Sequence, residues 1–197
     1  FSTASPQRLN VHFIDDHVSG KALWAVDTGA PLPAAFRAAM PFSATPEKVT
    51  PLMYQPAYVA AAGPTRFAEP DAAIATAPQG NGRKVTLTFD GSERSNEMIL
   101  VVPNGSGLSS VELEGRRFVP APEASNPVGT IIGCVTRDCR NKSVTLQFDS
   151  KRPVDVLLGE IDYGLPADGA RLESVRPNTT VVSQSGEIGR ASCRERV

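Results

Sequence analysis

Hydrophobic and polar positions alternate with a period of two along much of this chain. Leu9, Val11 and Phe13 are interleaved with Asn10 and His12, and Val85, Leu87 and Phe89 with Thr86 and Thr88. Val111 and Leu113 alternate with Glu112 and Glu114, and Val144, Leu146 and Phe148 with Thr145, Gln147 and Asp149. Successive side chains of a strand point to opposite faces, so each run predicts a strand with one buried face. Met98 to Val102 and Val154 to Ile161 add two apolar runs. From Gln79 onward these signals recur about every ten residues, each bounded by Gly, Asn, Asp or Pro, which is the spacing of an antiparallel β-sandwich. The fold class expected is therefore mainly all-β.

Before Gln79 the texture differs. Leu9 to Phe13, the polar run Asp15 to Gly20, and Lys21 to Val26 centred on Trp24 predict a first hairpin. Pro31 to Met40 is the one convincing helix, with Pro33 suited to its first turn and Leu32, Phe36 and Met40 along one face. From Pro41 to Pro78 prolines recur at 46, 51, 56, 64 and 70, too often for central strands or a long helix. That stretch is expected to be an extended surface connector with an edge strand near Ala72 to Thr76. The expected organisation is thus a hairpin and helix over 1–40, a connector over 41–78 and a β-sandwich over 79–186.

The sandwich region is organised around Val128 to Phe148. Thr130 to Val135 and Val144 to Phe148 read as the two strands of a hairpin, and Cys134 and Cys139 bracket four turn-like residues between them. Closing such a hairpin would bring the sulfurs close enough to bond, removing about 2 kcal/mol of loop entropy from the unfolded chain. A structural disulfide is the preferred reading, and a reduced cytosolic pair the competing one. Val85 to Asp90 and Val144 to Asp149 also echo each other closely. The preferred account is convergence on the half-buried strand pattern; a duplicated two-strand unit is the alternative.

The ends change what counts as native. Glu187 to Val197 breaks the alternation and reads as the translation of a sequencing adapter, so 187–197 is set aside. Without Cys193 the cysteines form an even pair, the parity of an oxidising compartment. A start at Phe1, directly before strand-like sequence, reads as an internal fragment cut at both ends.

Charge removes one class of partner. Twenty Lys and Arg face 21 Asp and Glu, with no basic run beside interleaved aromatics, so nucleic acid is not expected. No apolar stretch approaches the roughly 20 residues of a membrane helix. Candidate chemistry is sparse. His12 and His17 lie near Asp15 and Asp16, but an odd spacing sends strand residues to opposite faces, and His17 falls in the turn; no metal site is expected. Ser106 in Asn104-Gly-Ser-Gly lacks nucleophile-elbow spacing, the cysteines are too far apart for a C-x-x-C redox pair, and no phosphate-binding glycine loop occurs. Glu112 and Glu114 read as a solvated outer face. Asn104, Asn141 and Asn178 fit the acceptor triplet for N-linked glycans. No catalytic, cofactor-binding or metal residue is expected; the residues singled out are Cys134 and Cys139.

Three parts of the chain resemble the C-terminal, non-catalytic region of bacterial membrane-bound zinc exopeptidases of the endoplasmic-reticulum-metallopeptidase (aminopeptidase Y) type. They are Pro6-Gln-Arg-Leu-Asn-Val-His-Phe-Ile-Asp-Asp16 with Gly20 to Asp27 and Pro31-Leu-Pro33; the Cys134 and Cys139 segment; and Asp162-Tyr-Gly-Leu-Pro166 with Ala170, Arg176-Pro177 and Ser183 to Gly186. The resemblance implies an aminopeptidase whose zinc ligands and catalytic Glu lie upstream, in a domain joined through membrane helices. This chain would be its extracytoplasmic accessory domain, with zinc only in the missing catalytic part and the parent's own catalytic and membrane domains as partners. A secreted β-sandwich module binding glycan or protein is the alternative, with Trp24, Tyr54, Tyr58 and Tyr163 as its platform.

Overall fold

The computed structural model describes every residue except 1, 54, 65–66, 94, 122–125, 136–138 and 183–187, and the backbone alone at 188–189 and 191–195. The elements in chain order are β1 (Gln7–Asp16), β2 (Lys21–Thr28), α1 (Ala34–Ala39), β3 (Tyr58–Gly63), β4 (Asp71–Gln79), β5 (Gly82–Asp90), β6 (Ser95–Val102), β7 (Leu108–Leu113), β8 (Arg116–Phe118), β9 (Thr130–Val135), β10 (Ser143–Phe148), β11 (Asp155–Tyr163), α2 (Ala170–Ser174), β12 (Thr180–Val181) and β13 (Ile188–Arg196). The molecule is mostly β, with antiparallel sheets arranged like a sandwich and two short helices. It divides into two compact units, 1–67 with 161–191, and 68–160 with 192–197.

In the first unit the predicted hairpin is present, with Phe13 opposite Trp24 and Val11 opposite Val26. Its odd-numbered face on β1 (Leu9, Val11, Phe13) joins Trp24 and Val26 in a core that also holds Leu32, Phe36 of α1 and Leu172 of α2. Phe13 meets Trp24 edge-on at 5.0 Å between centroids and Phe67 at 5.3 Å. The other face is buried too, where Ile14 and Ala25 pack with Met53 and Ala57. Burial on both faces accounts for the length of apolar sequence in β2. The parallel pairing of β12 with β1 brings the chain's late residues back to this hairpin, Gln7 matching Thr180.

Residues 41–78, expected as a surface connector, contribute β3 to this unit, antiparallel to β2 with Trp24 opposite Ala60. Phe42, Leu52, Met53, Ala57, Tyr58, Ala60 and Ala62 are buried. Prolines at 56 and 64 flank the strand rather than interrupt it, so no pairing N–H is lost within Tyr58–Gly63. The edge strand expected near Ala72 to Thr76 is present as β4.

The second unit holds two sheets, β4-β5-β10-β7-β8 and β11-β6-β9, around one core. Val85, Leu87, Phe89, Val111, Val144, Leu146 and Phe148 come from the first sheet, and Met98, Leu100, Val102, Ile132, Val156 and Leu158 from the second. These are the inward positions of the period-two runs. The expected β9–β10 hairpin does not form. β9 pairs with β6, Ile132 opposite Leu100. β10 lies centrally in the other sheet with β5 on one side and β7 on the other. A strand with both edges taken cannot also pair with its sequence neighbour, so the chain crosses from sheet to sheet between them. Cys134 and Cys139 are bonded across this crossing, their Cα atoms 5.6 Å apart, and Cys139 is buried in the core.

The echoing strands β5 and β10 are direct neighbours, paired about Thr86 and Thr145, whose hydroxyl oxygens are 3.1 Å apart. An antiparallel pair centred there superposes Val85 on Val144 and Leu87 on Leu146 by a local two-fold rotation. Their successors, β6 and β11, are neighbours in the facing sheet.

Residues 188–196, set aside with 187–197, form β13. Val197 exchanges backbone hydrogen bonds of 2.7 and 2.8 Å with Val154 and is buried. Backbone pairing needs no side-chain alternation, which is why a run lacking that pattern still enters a sheet.

Candidate functional site

Polar groups concentrate on the face of the β1–β2 hairpin opposite Trp24. Asn10 and His12 share that face of β1, and Asp27 lies directly opposite Asn10 on β2. Asn10 Nδ2 donates to Asp27 Oδ1 at 3.0 Å, and His12 Nε2 is 3.0 Å from Asp27 Oδ2. An ionised carboxylate only accepts, so Nε2 carries the proton. His12 Nδ1 is buried and has no hydrogen-bond partner among the described residues. On the Trp24 face of the same hairpin, Gln7 Nε2 donates to Thr28 Oγ1 at 2.7 Å, and the Phe67 N–H donates to Asp15 Oδ2 at 2.7 Å.

Burial raises the Asp27 carboxyl, but the hydrogen bond and charge of His12, the Asn10 amide and the charge of Arg8 outweigh it, leaving the group below its ordinary 3.8. A carboxylate depressed on folding stabilises the native state above its unfolded value, and that contribution is lost as pH falls through the lower folded value. The first unit should therefore melt progressively lower as the pH drops below 3.8. Thermal melts of wild type and Asp27→Asn from about pH 7 to about pH 3 test this: the gap between them should narrow in acid, and a constant gap would contradict it.

The cluster is largely enclosed by the fold. His12 is 2% exposed, and acid–base catalysis needs its group within reach of a reacting proton. His17 lies in the turn after β1, away from the His12–Asp27 pair's hydrogen bonds, and among the described residues no three His, Cys, Asp or Glu side chains converge as metal ligands.

The other singled-out residues are distributed by the fold. Ser106 lies in a turn, and Glu112 and Glu114 are exposed, as a solvated face requires. Of the aromatic platform, Trp24 and Tyr58 are core residues, Tyr163 is 54% exposed, and Tyr54 lies outside the described residues. Arg37 lies over the Tyr58 ring, 5.2 Å from its centroid. Asn104, Asn141 and Asn178 are exposed in turns. Sequence reasoning missed a buried carboxylate in the second unit: Glu160 accepts hydrogen bonds from the N–H and hydroxyl of Ser92. Its position in an apolar strand was the available signal.

No family model matches the chain, and no curated protein matches it. Among solved structures, the Fcho1 Mu homology domain of Danio rerio with bound Eps15 peptide is similar at 9% identity and a TM-score of 0.35, over 94% of this chain and 92% of that one.

Proposed function

We propose that this chain is the extracytoplasmic accessory β-domain of a membrane-bound zinc-dependent aminopeptidase, with no zinc site of its own. The metal and the catalytic groups belong to the parent's upstream domain. One observation carries the reading: two of the segments on which the resemblance rests, one ending at Pro33 and the other beginning at Asp162, fold against each other in one unit. Arg176 Nη1 donates to the Leu9 carbonyl at 2.7 Å, and the Gln7 N–H donates to the Thr179 carbonyl at 2.8 Å. Leu165 and Leu172 enter the same core as Leu9, Phe13 and Trp24. Isolated chance matches have no reason to share a core. The disulfide adds support for an oxidising compartment.

The binding-module reading ranks second. It needs exposed aromatics, and Tyr163 supplies one, whereas Trp24 and Tyr58 are committed to packing. The purified chain should release no product from aminoacyl-arylamides with or without added zinc. Zinc-dependent turnover by the chain alone would overturn the accessory reading.

A further inference from the structure

β4 is an end strand of its sheet, paired among the described residues with β5 alone. The two-residue turn Gly80-Asn81 makes Gln79 and Gly82 a hydrogen-bonded pair. Alternation then directs the backbone groups of 77, 75 and 73 to β5 and those of 72, 74, 76 and 78 outward. Pro78, with no N–H, occupies an outward position, where none is needed. Such an edge is ordinarily blunted by charge, proline, a bulge or a cover, and here proline stands only at Pro78, near the end of the strand. Ala72 to Gln79 carries no charge, its register is unbroken, and all but Ala72 are exposed.

We infer that β4 is a self-association edge on which a second copy of this chain pairs antiparallel, about a two-fold axis through Ile74. The sequence is symmetric about that point. Pro70 and Pro78 lie four residues to either side and end the run, while Ala72, Ile74 and Thr76 between them turn donors and acceptors outward. Pairing sets Ile74 against its copy and Ala72 against Thr76. The Ala72 N–H, held by the Asp71 carboxylate at 2.7 Å, transfers to the partner strand. Ile74 shares the core face with its cross-strand neighbour Leu87, yet is 37% exposed; a second Ile74 covers it.

Charge fits the same register. Within one copy Asp71 lies directly opposite Asp90, a like-charge pair that destabilises a sheet. In the paired arrangement Asp71 faces Ala77 of the other copy, whose neighbour on β5 is the exposed Lys84. The alanine is small enough for the lysine to reach across it, and symmetry forms the contact twice.

Sedimentation of the full chain over a range of concentrations tests this, with far-UV circular dichroism confirming that each variant folds. Wild type should reach twice the 20.9 kDa of one chain as concentration rises. Ile74→Lys should remain monomeric under the same conditions. Asp71→Lys and Lys84→Asp should each weaken association several-fold, and the two together should restore it. Should Ile74→Lys fail to fold, the charge swap decides alone. A wild type that is monomeric throughout, a dimer indifferent to Ile74→Lys, or a double variant no tighter than the single ones would overturn the inference.

Discussion

Replacing Trp24 with alanine should cost the first unit about 3–5 kcal/mol, the range for deleting a large buried aromatic. The indole is 1% exposed and stacks edge-on against Phe13, which is itself held by Phe67. Its removal opens a cavity bounded by the hairpin and the packed segment around Gly169, where an added Cβ would already meet Leu165 and the Trp24 ring. The walls belong to strands paired on their backbone and cannot collapse fully into that space. Chemical denaturation followed by far-UV circular dichroism measures the loss. As the chain's single tryptophan, Trp24 also supplies an independent check in the wild type, because its fluorescence should resist quenching by acrylamide. A loss below about 1 kcal/mol, within the reach of ordinary surface substitutions, or an easily quenched indole, would place Trp24 outside the core.

A comparable loss, again about 3–5 kcal/mol, should follow Phe148→Ala in the second unit. The ring is 1% exposed in the central strand β10, and the Arg83 guanidinium lies over it, 4.5 Å from its centroid. Arg83 is itself buried, donating to the Ser150 carbonyl at 2.6 Å and the Val197 carbonyl at 3.2 Å. Alanine removes both the apolar volume and the aromatic face that compensates a desolvated cation. Phe148→Leu retains most of the volume, so the difference between the two variants isolates packing from the cation–ring contact. Equal stability of Phe148→Ala and wild type in urea would contradict the assignment of β10 to the middle of its sheet.

How much of this was legible depended on whether a signal reports a face or a partner. Alternation reports a face, and Val85, Leu87, Phe89, Val144, Leu146 and Phe148 are core residues as it requires. The β1–β2 hairpin was legible because its two strands pair locally, but its turn is shorter than the polar run suggests: Asp15 and Asp16 pair with Ala22 and Lys21. Between β9 and β10 the same logic failed. Alternation is equally satisfied by a strand that pairs with its neighbour and by one that crosses to the facing sheet, and the cysteines stay close in either case. β3 was hidden because proline density was weighed over 41–78 as a whole, whereas the proline-free run Tyr58–Gly63 is as long as β7, β9 or β10. β13 was hidden because its sequence carries no alternation to read.

The candidate site followed the same division. Asn10 and His12 were visible as polar residues within a strand, but Asp27 became their partner only through the register that sets it opposite Asn10. His17 lies in the turn beyond the end of β1, and nothing local indicates that Ser92 meets Glu160 across 68 residues. Long-range polar pairs depend on strand order, and strand order was not legible.

The accessory-domain reading is tested most directly by sequencing the intact gene on both sides of the segment encoding this chain, from source DNA carrying no adapter. An upstream frame with clustered His, Asp and Glu ligands followed by several apolar spans is the predicted result. A frame that opens with a signal peptide immediately before Phe1 would contradict it.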